Sequence, residues 1–214
     1  MRRATITRTT RETAIRVTLN LDGCGSATKI GGSATLCGGT ASVKTGLPFL
    51  DHMLTLLATH GAFALTVKAK GDVEIDVHHT NEDVGLVMGQ ALAKALGMPK
   101  GVRRFGWAYV PMEEALVRVV LDLSGRPKLV LRDHRSPRAR LKGSGTTYQW
   151  TDLEHWVESF ARAAKLTVHV DVFAGSDFHH TCEAIFKALG RALRHAVERD
   201  ARLPGVPSSK GTLR

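Results

Sequence analysis

The chain repeats itself. Glu12, Ile15, Arg16, Val17, Leu19, Leu21 and Gly23 recur as Glu114, Val117, Arg118, Val119, Leu121, Leu123 and Gly125, at an offset of 102 residues. Leu50-Asp51-His52-Met53 returns as Leu153-Glu154-His155-Trp156 at an offset of 103, and Leu65-Thr66-Val67 as Leu166-Thr167-Val168 at 101. His78-His79-Thr80 with Glu82 matches His179-His180-Thr181 with Glu183, and Gly89, Ala91 and Leu92 match Gly190, Ala192 and Leu193, all at 101. Four ordered blocks in nearly constant register mark a duplication, and a duplicated chain folds as two copies of one unit.

Each copy reads as strand, helix, strand, helix. The segments that open the repeat alternate apolar and polar residues at period two, as half-buried strands do. The first helix covers 48–59 in one copy and 152–164 in the other, and the second covers 80–96 and 181–201. The fold class is therefore α+β, an internal duplication of two half-domains, each a small sheet covered by helices. The halves divide as 1–100 and 101–214 and form one body, because Met98-Pro99-Lys100 is too short a link for independent motion. Residues 25–45, rich in Gly, Ser, Ala and Thr, read as a mobile surface loop. Residues 132–142 carry four Arg and one Lys against one Asp and read as a solvated loop, with a basic arm for an anion as the alternative.

Composition narrows the function classes. No apolar run reaches the roughly 20 residues that a bilayer requires, so no membrane span is expected. The three cysteines, Cys24, Cys37 and Cys182, are a sparse and odd set that suits a reducing compartment, although Cys24 and Cys37 could pair within their loop. The start has Arg2 and Arg3 but no apolar core of a secretory signal; it reads as a strand over 5–10, with an organelle transit remnant as the alternative. The expected location is the cytoplasm, or a plastid in a plant or alga. A formal charge of +10 points to an anionic partner: nucleic acid, an acidic membrane surface or a phosphorylated small molecule.

Six of the ten histidines stand at repeat-equivalent positions: His52, His78, His79, His155, His179 and His180. A duplication that keeps histidine at every paired site points to ligands. On a helix starting at His78, Glu82 shares its face at i+4 while His79 is turned by about 100°, so neighbouring histidines tend to serve different ions. Two His-His-x-x-Glu motifs with His52 and His155 supply eight ligands, His52, His78, His79, Glu82, His155, His179, His180 and Glu183, or four for each of two metals. Octahedral ions would then keep open positions for substrate or water, as catalytic sites do. Imidazole with carboxylate suits Mn, Fe, Co or Zn. Because adjacent histidines diverge, sites completed between subunits are one solution.

The anion has its own candidates. Arg104 before Phe105-Gly106, Arg126 after Ser124-Gly125, and the terminal Pro207-Ser208-Ser209-Lys210-Gly211 offer a guanidinium fork, a point charge and hydroxyls that together would hold a phosphate. Lys187 lies one turn beyond Glu183 on the same helix face and is a further candidate.

These residues closely resemble the imidazoleglycerol-phosphate dehydratase family of histidine biosynthesis. The motifs are GLPFLDHML (46–54), GDVEIDVHHTNEDVG (71–85), RFG (104–106), PMEEAL (111–116), DLSGRP (122–127), LEHWVESF (153–160), HHTCEAIFKA (179–188) and PSSKG (207–211), spread over nearly the whole chain. The resemblance implies that D-erythro-imidazoleglycerol phosphate is dehydrated to imidazole acetol phosphate. It further implies two Mn2+ per subunit on the eight ligands above, phosphate contacts from Arg104, Arg126, Ser208, Ser209 and Lys210, and His60 and Lys187 near the substrate. Catalysis would fall to Glu12 with His52, His79, Glu82 and His180. Glu12 is the candidate proton carrier, in an Arg-Glu-Thr motif that matches the family's. The homo-oligomer it implies is a shell of 24 subunits built from trimers, with metals shared between subunits. The chain departs from the family in a longer 25–45 loop, an extension before Asp152, Leu56 in place of a frequent Gln, Ser176-Asp177-Phe178 before the second histidine pair, and Glu113 in place of an Asp.

Two other readings compete. A dimetal hydrolase of a small phosphorylated substrate would use the same ligands with a bridging hydroxide. A nucleic-acid module would suit the charge, but aromatics are few, no stacking motif is visible and the basic residues are scattered, so no nucleic-acid partner is expected.

Overall fold

The computed structural model describes residues 1–23, 39–135 and 146–212, and between 24 and 38 only the backbone of two short strands. The order of elements is β1 (Arg3–Thr9), β2 (Thr13–Asn20), β3 (Lys29–Ile30), β4 (Ser33–Ala34), β5 (Thr40–Lys44), α1 (Pro48–Gly61), β6 (Ala64–Gly71) and α2 (His78–Leu96), followed by β7 (Phe105–Met112), β8 (Ala115–Asp122), β9 (Lys128–Asp133), α3 (Trp150–Ala164), β10 (Thr167–Ala174) and α4 (Phe178–Val197). One four-stranded sheet runs β1-β2-β6-β5 and the other β7-β8-β10-β9. In both, the first three strands are antiparallel and the last lies parallel to its neighbour. The two halves thus share one α+β topology. A parallel pair needs a crossover, which α1 supplies between β5 and β6, and α3 between β9 and β10.

Each half has more strands than the sequence pattern shows. β5 lies inside the segment read as a mobile loop, and the end of β9 inside the segment read as a basic one. Both are edge strands, and each takes its conformation from pairing with a distant partner: Ser42 with Thr66, Val130 with His169. α4 also stops at Val197, short of the pattern's end at 201, because Arg199 bridges to Val102 and the Asp200 amide donates to the Gly101 carbonyl. Cys24, Cys37 and most of the basic segment lie outside the described residues.

The inward faces of the sheets carry the repeated apolar residues, Ile15, Val17 and Leu19 in one and Val117, Val119 and Leu121 in the other, all buried. The helices fill the space between. α2 lies on β1 and β2, α4 on β7 and β8, and each half's second helix packs along the first helix of the other half, α2 on α3 and α4 on α1. Both contacts run parallel: Gly85 and Gly89 meet Trp156 and then Phe160, while Gly190 meets Leu57 and Gly61 beyond the contact of Glu183 with His52. Glycine permits the approach. A Cβ on Gly89 would sit 2.5 Å from the Phe160 carbonyl oxygen, and one on its repeat-mate Gly190 2.4 Å from that of Leu57. Trp156, Phe160 and Phe186 fill the centre, each contributing about 3 kcal/mol of apolar burial. No described helix is long and apolar enough to cross a membrane.

Candidate metal centres and active site

The crossed packing of the helices decides which histidines meet. α1 starts with Pro48 in its first turn, which fixes the helical φ where a free N–H is not needed, and carries His52 one turn in. α4 starts from Asp177, whose side chain accepts from the His180 amide at 3.0 Å. Because these two helix starts lie side by side, His52 Nε2 reaches Glu183 Oε1 at 2.8 Å and His179 Nε2 reaches the same oxygen at 2.9 Å. The donor atoms of His52, His179 and Glu183 lie within 4.8 Å of one another. Burial opposes the charge on Glu183, but hydrogen bonds from Lys187, His52 and His179 overcome it and hold the carboxyl down to about 2. Lys187 Nζ lies 2.5 Å from Glu183 Oε2 and is itself largely buried.

The other helix pair repeats the arrangement more loosely. Asp76 accepts from the first amide of α2 at 2.7 Å. His78 Nε2 lies 3.5 Å from Glu82 Oε2, and its ring stands edge-on to that of His155, with centroids 5.0 Å apart. Here the cation beside the glutamate comes from α3, with Arg162 3.1 Å from Glu82 Oε1. A cleft of about 460 Å³ opens beside His78 and His155 and is bordered by Asp76, Gln149 and Asp152.

Each cluster therefore draws one histidine from one half and a His-x-x-x-Glu pair from the other; among the described residues only the His52, His179 and Glu183 set brings all its donor atoms together, and two imidazoles with a carboxylate suit Mn, Fe, Co or Zn. The remaining two expected ligands, His79 and His180, point elsewhere. His79 Nδ1 donates to Asp72 Oδ2 at 2.9 Å, with Glu12 Oε2 at 3.9 Å, and His180 Nδ1 donates to Glu114 Oε2 at 2.9 Å. These carboxylates favour the charged rings and raise both histidines above their ordinary value. Glu114 is held down to about 2 by His180 and by the Asp177 and Ser176 amides. Sequence reasoning missed Asp72 and Glu114. The position of Glu114 as repeat-mate of Glu12 was the available signal for one of them.

Of the remaining candidates, His60 sits two turns after His52 on α1. Burial and the nearby Lys187 and Arg191 push it below its ordinary value. Glu12 is exposed at the start of β2, beside Asp72. Arg104 adopts a left-handed φ of 73°, a costly conformation for a side chain with a Cβ. It grips both oxygens of Asp122 at 2.7 and 3.0 Å and donates to the Pro207 carbonyl at 2.8 Å, which anchors the tail bearing Ser208, Ser209 and Lys210. The amide and carbonyl of Arg126 are tied to Ser124 and Thr167. The structure does not bring this group to the histidines. The Arg104 amide binds the carbonyl of Ala196 near the end of α4, whereas His179 and His180 start that helix. Sixteen helical residues span roughly 24 Å.

A duplicated α+β body with repeat-related His/Glu clusters is a scaffold whose donor groups fit divalent metal ions. Comparison with known proteins names the family. The imidazoleglycerol-phosphate dehydratase family model matches residues 45–193. The imidazoleglycerol-phosphate dehydratase of Alcanivorax borkumensis is 48% identical over 99% of this chain and 95% of its own length, and that of Mycolicibacterium smegmatis is 47% identical over 99% and 97%. A crystal structure of the Pyrococcus furiosus enzyme, in complex with (S)-C348, superposes with a TM-score of 0.76 at 32% identity, covering 97% of this chain and all of that one. The Staphylococcus aureus enzyme gives 0.72 at 33% identity, over 92% and 99%. The chain belongs to the imidazoleglycerol-phosphate dehydratase family.

Proposed function

We propose that the chain dehydrates D-erythro-imidazoleglycerol phosphate to imidazole acetol phosphate and water in histidine biosynthesis, using two Mn2+ per subunit. The observation that carries the metal dependence is the pair of repeat-related clusters, each built across the two halves from two histidines and a glutamate. His52, His179 and Glu183 would hold one ion and His155, His78 and Glu82 the other, with His79 and His180 completing sites in neighbouring subunits. When bound, the ions supply Lewis-acid polarisation of the substrate's imidazole.

The reaction removes the hydroxyl from the carbon attached to the ring and the proton from the next carbon, after which the enol becomes the ketone. Glu12 is exposed, 3.9 Å from His79 and without a short hydrogen bond to it, and so is free to move that proton. Lys187 and His60 present positive charge and a hydrogen-bonding ring along the α1–α4 seam. Arg104, Arg126, Ser208, Ser209 and Lys210 would hold the phosphate. Since the Arg104 group and the α4 histidines stand at opposite ends of that helix, one small substrate cannot touch both in a single chain. That supports a homo-oligomer with sites shared between subunits, and the assembly we favour is 24 subunits built from trimers, in the cytoplasm.

The test is turnover of imidazoleglycerol phosphate by chelator-stripped protein with and without added Mn2+, following the ketone. Restoration by Mn2+ supports the reading, and no turnover by folded, metal-replete protein removes it. Glu12→Gln should lower kcat by about 10²–10⁴-fold; unaltered turnover would take Glu12 out of the mechanism.

A further inference from the structure

The duplication carries its own internal comparison. His79 and His180 are repeat-mates, and so are Glu12 and Glu114. In the second half the pair is closed: Glu114 Oε2 accepts from His180 Nδ1 at 2.9 Å, while its Oε1 accepts from the amides of Ser176 and Asp177 at 3.0 and 2.8 Å. In the first half it is open. Glu12 stays 3.9 Å from His79, and Asp72 Oδ2 occupies the Nδ1 proton at 2.9 Å.

Asp72 has no carboxylate twin. It begins the connection from β6 to α2, and at the constant offset of 101 its repeat-mate is Phe173, on β10. Asp76 and Asp177, each two residues before its histidine pair, are the matched residues of the two connections. The other oxygen of Asp72, Oδ1, is buried with no hydrogen-bond partner among the described residues. A desolvated carboxylate oxygen without a donor weakens a fold, so packing alone gives no reason for the residue to stand there.

We propose that Asp72 is a positioning residue that accepts the Nδ1 proton of His79, leaves Nε2 as the ligand nitrogen, and by standing in Glu114's role frees Glu12 for proton transfer. An imidazole whose Nδ1–H is held by a carboxylate presents a fixed tautomer and a more basic Nε2. The second half achieves this with the repeat's own glutamate. The first half does it with a carboxylate at the position where the second half has Phe173, so the original glutamate is released from structural duty. This inference rests on the proposed function, and its test separates the two.

Mn2+ titration of the chelator-stripped full-length protein, followed by calorimetry and by the Mn2+ electron paramagnetic resonance signal, is run on wild type, Asp72→Asn, Asp72→Ala and Glu114→Gln. Losing an orienting partner of a ligand lowers metal affinity about 10–100-fold. That loss is expected for one class of site in the Asp72 variants and for the other in Glu114→Gln. With Mn2+ saturating, Asp72→Asn should lower kcat with little change in KM, and adding Glu12→Gln should lower kcat no further than Glu12→Gln alone does. Unchanged Mn2+ affinity in Asp72→Asn, with a lowered melting temperature as its sole effect, would leave Asp72 a structural residue and overturn the proposal. The near-isosteric Asn variant decides the matter if the Ala variant fails to fold. Wild-type protein that binds Mn2+ but does not turn over the substrate would remove the dehydratase reading, while the titration would still decide the orienting role.

Discussion

Asp171 lies on the outward face of β10 and is still only 2% exposed, because Arg118, Arg132 and His134 close over it. Arg118 in turn lies over the rings of Tyr109 and Phe173. Burial works against the Asp171 charge, but hydrogen bonds from His134 and Arg118 win and leave the carboxyl below its ordinary 3.8. A depressed folded value means that the ion cluster stabilises the fold fully above about pH 3.8 and progressively less as pH falls through the folded value. Asp171→Asn should therefore cost about 2 kcal/mol near neutrality, a lower melting temperature whose gap from wild type narrows below pH 3.8; a constant gap across acid pH would refute the assignment. Nothing in the repeat announces Asp171, since the matched position in the first half is Lys70. The same holds for Asp72 and for Arg162. Matched residues such as His52 and His155 were legible because duplication displays them twice. Residues by which the halves differ become visible when the helices are placed in space.

The four helices were legible to within a few residues at their starts, since each joins apolar periodicity to a local start signal such as Pro48 or Asp177. β5 and β9 were not, because edge strands in Gly-, Thr- and Arg-containing segments owe their shape to a partner far along the chain. Which helix packs on which was equally hidden. The crossed pairing depends on Gly89 and Gly190, whose role as bare backbone contacts has no periodic signature. Gly190→Val would drive a side chain against the Leu57 carbonyl, spreading α4 from α1 and drawing Glu183 from His52. Overpacking of this kind costs about 3 kcal/mol, which lowers the melting temperature by roughly 10 °C in a chain of this size. Mn2+ capacity should fall toward one ion per chain; two tight sites in a folded Gly190→Val protein would show that the seam does not position the ligands.

At the scale of the molecule, the second sheet turns Phe105, Trp107 and Tyr109 outward, each at least half exposed, an apolar patch of the kind that marks contact with another surface. If the active site is assembled from several chains, Trp107→Asp should yield smaller particles in sedimentation velocity, with turnover lost in proportion. Full activity from a dispersed monomer would refute site sharing. The crossed helices carry a consequence for origins as well. Each ion cluster takes its lone histidine from one half and its His-Glu pair from the other, so a chain of half the length could assemble such a cluster only by meeting a second copy of itself. A forerunner of half the length would accordingly have needed to act as a symmetric pair of short chains with two identical sites. Fusion would release each site from the obligation to match the other, and Asp72, where the second half has Phe173, is what that freedom looks like.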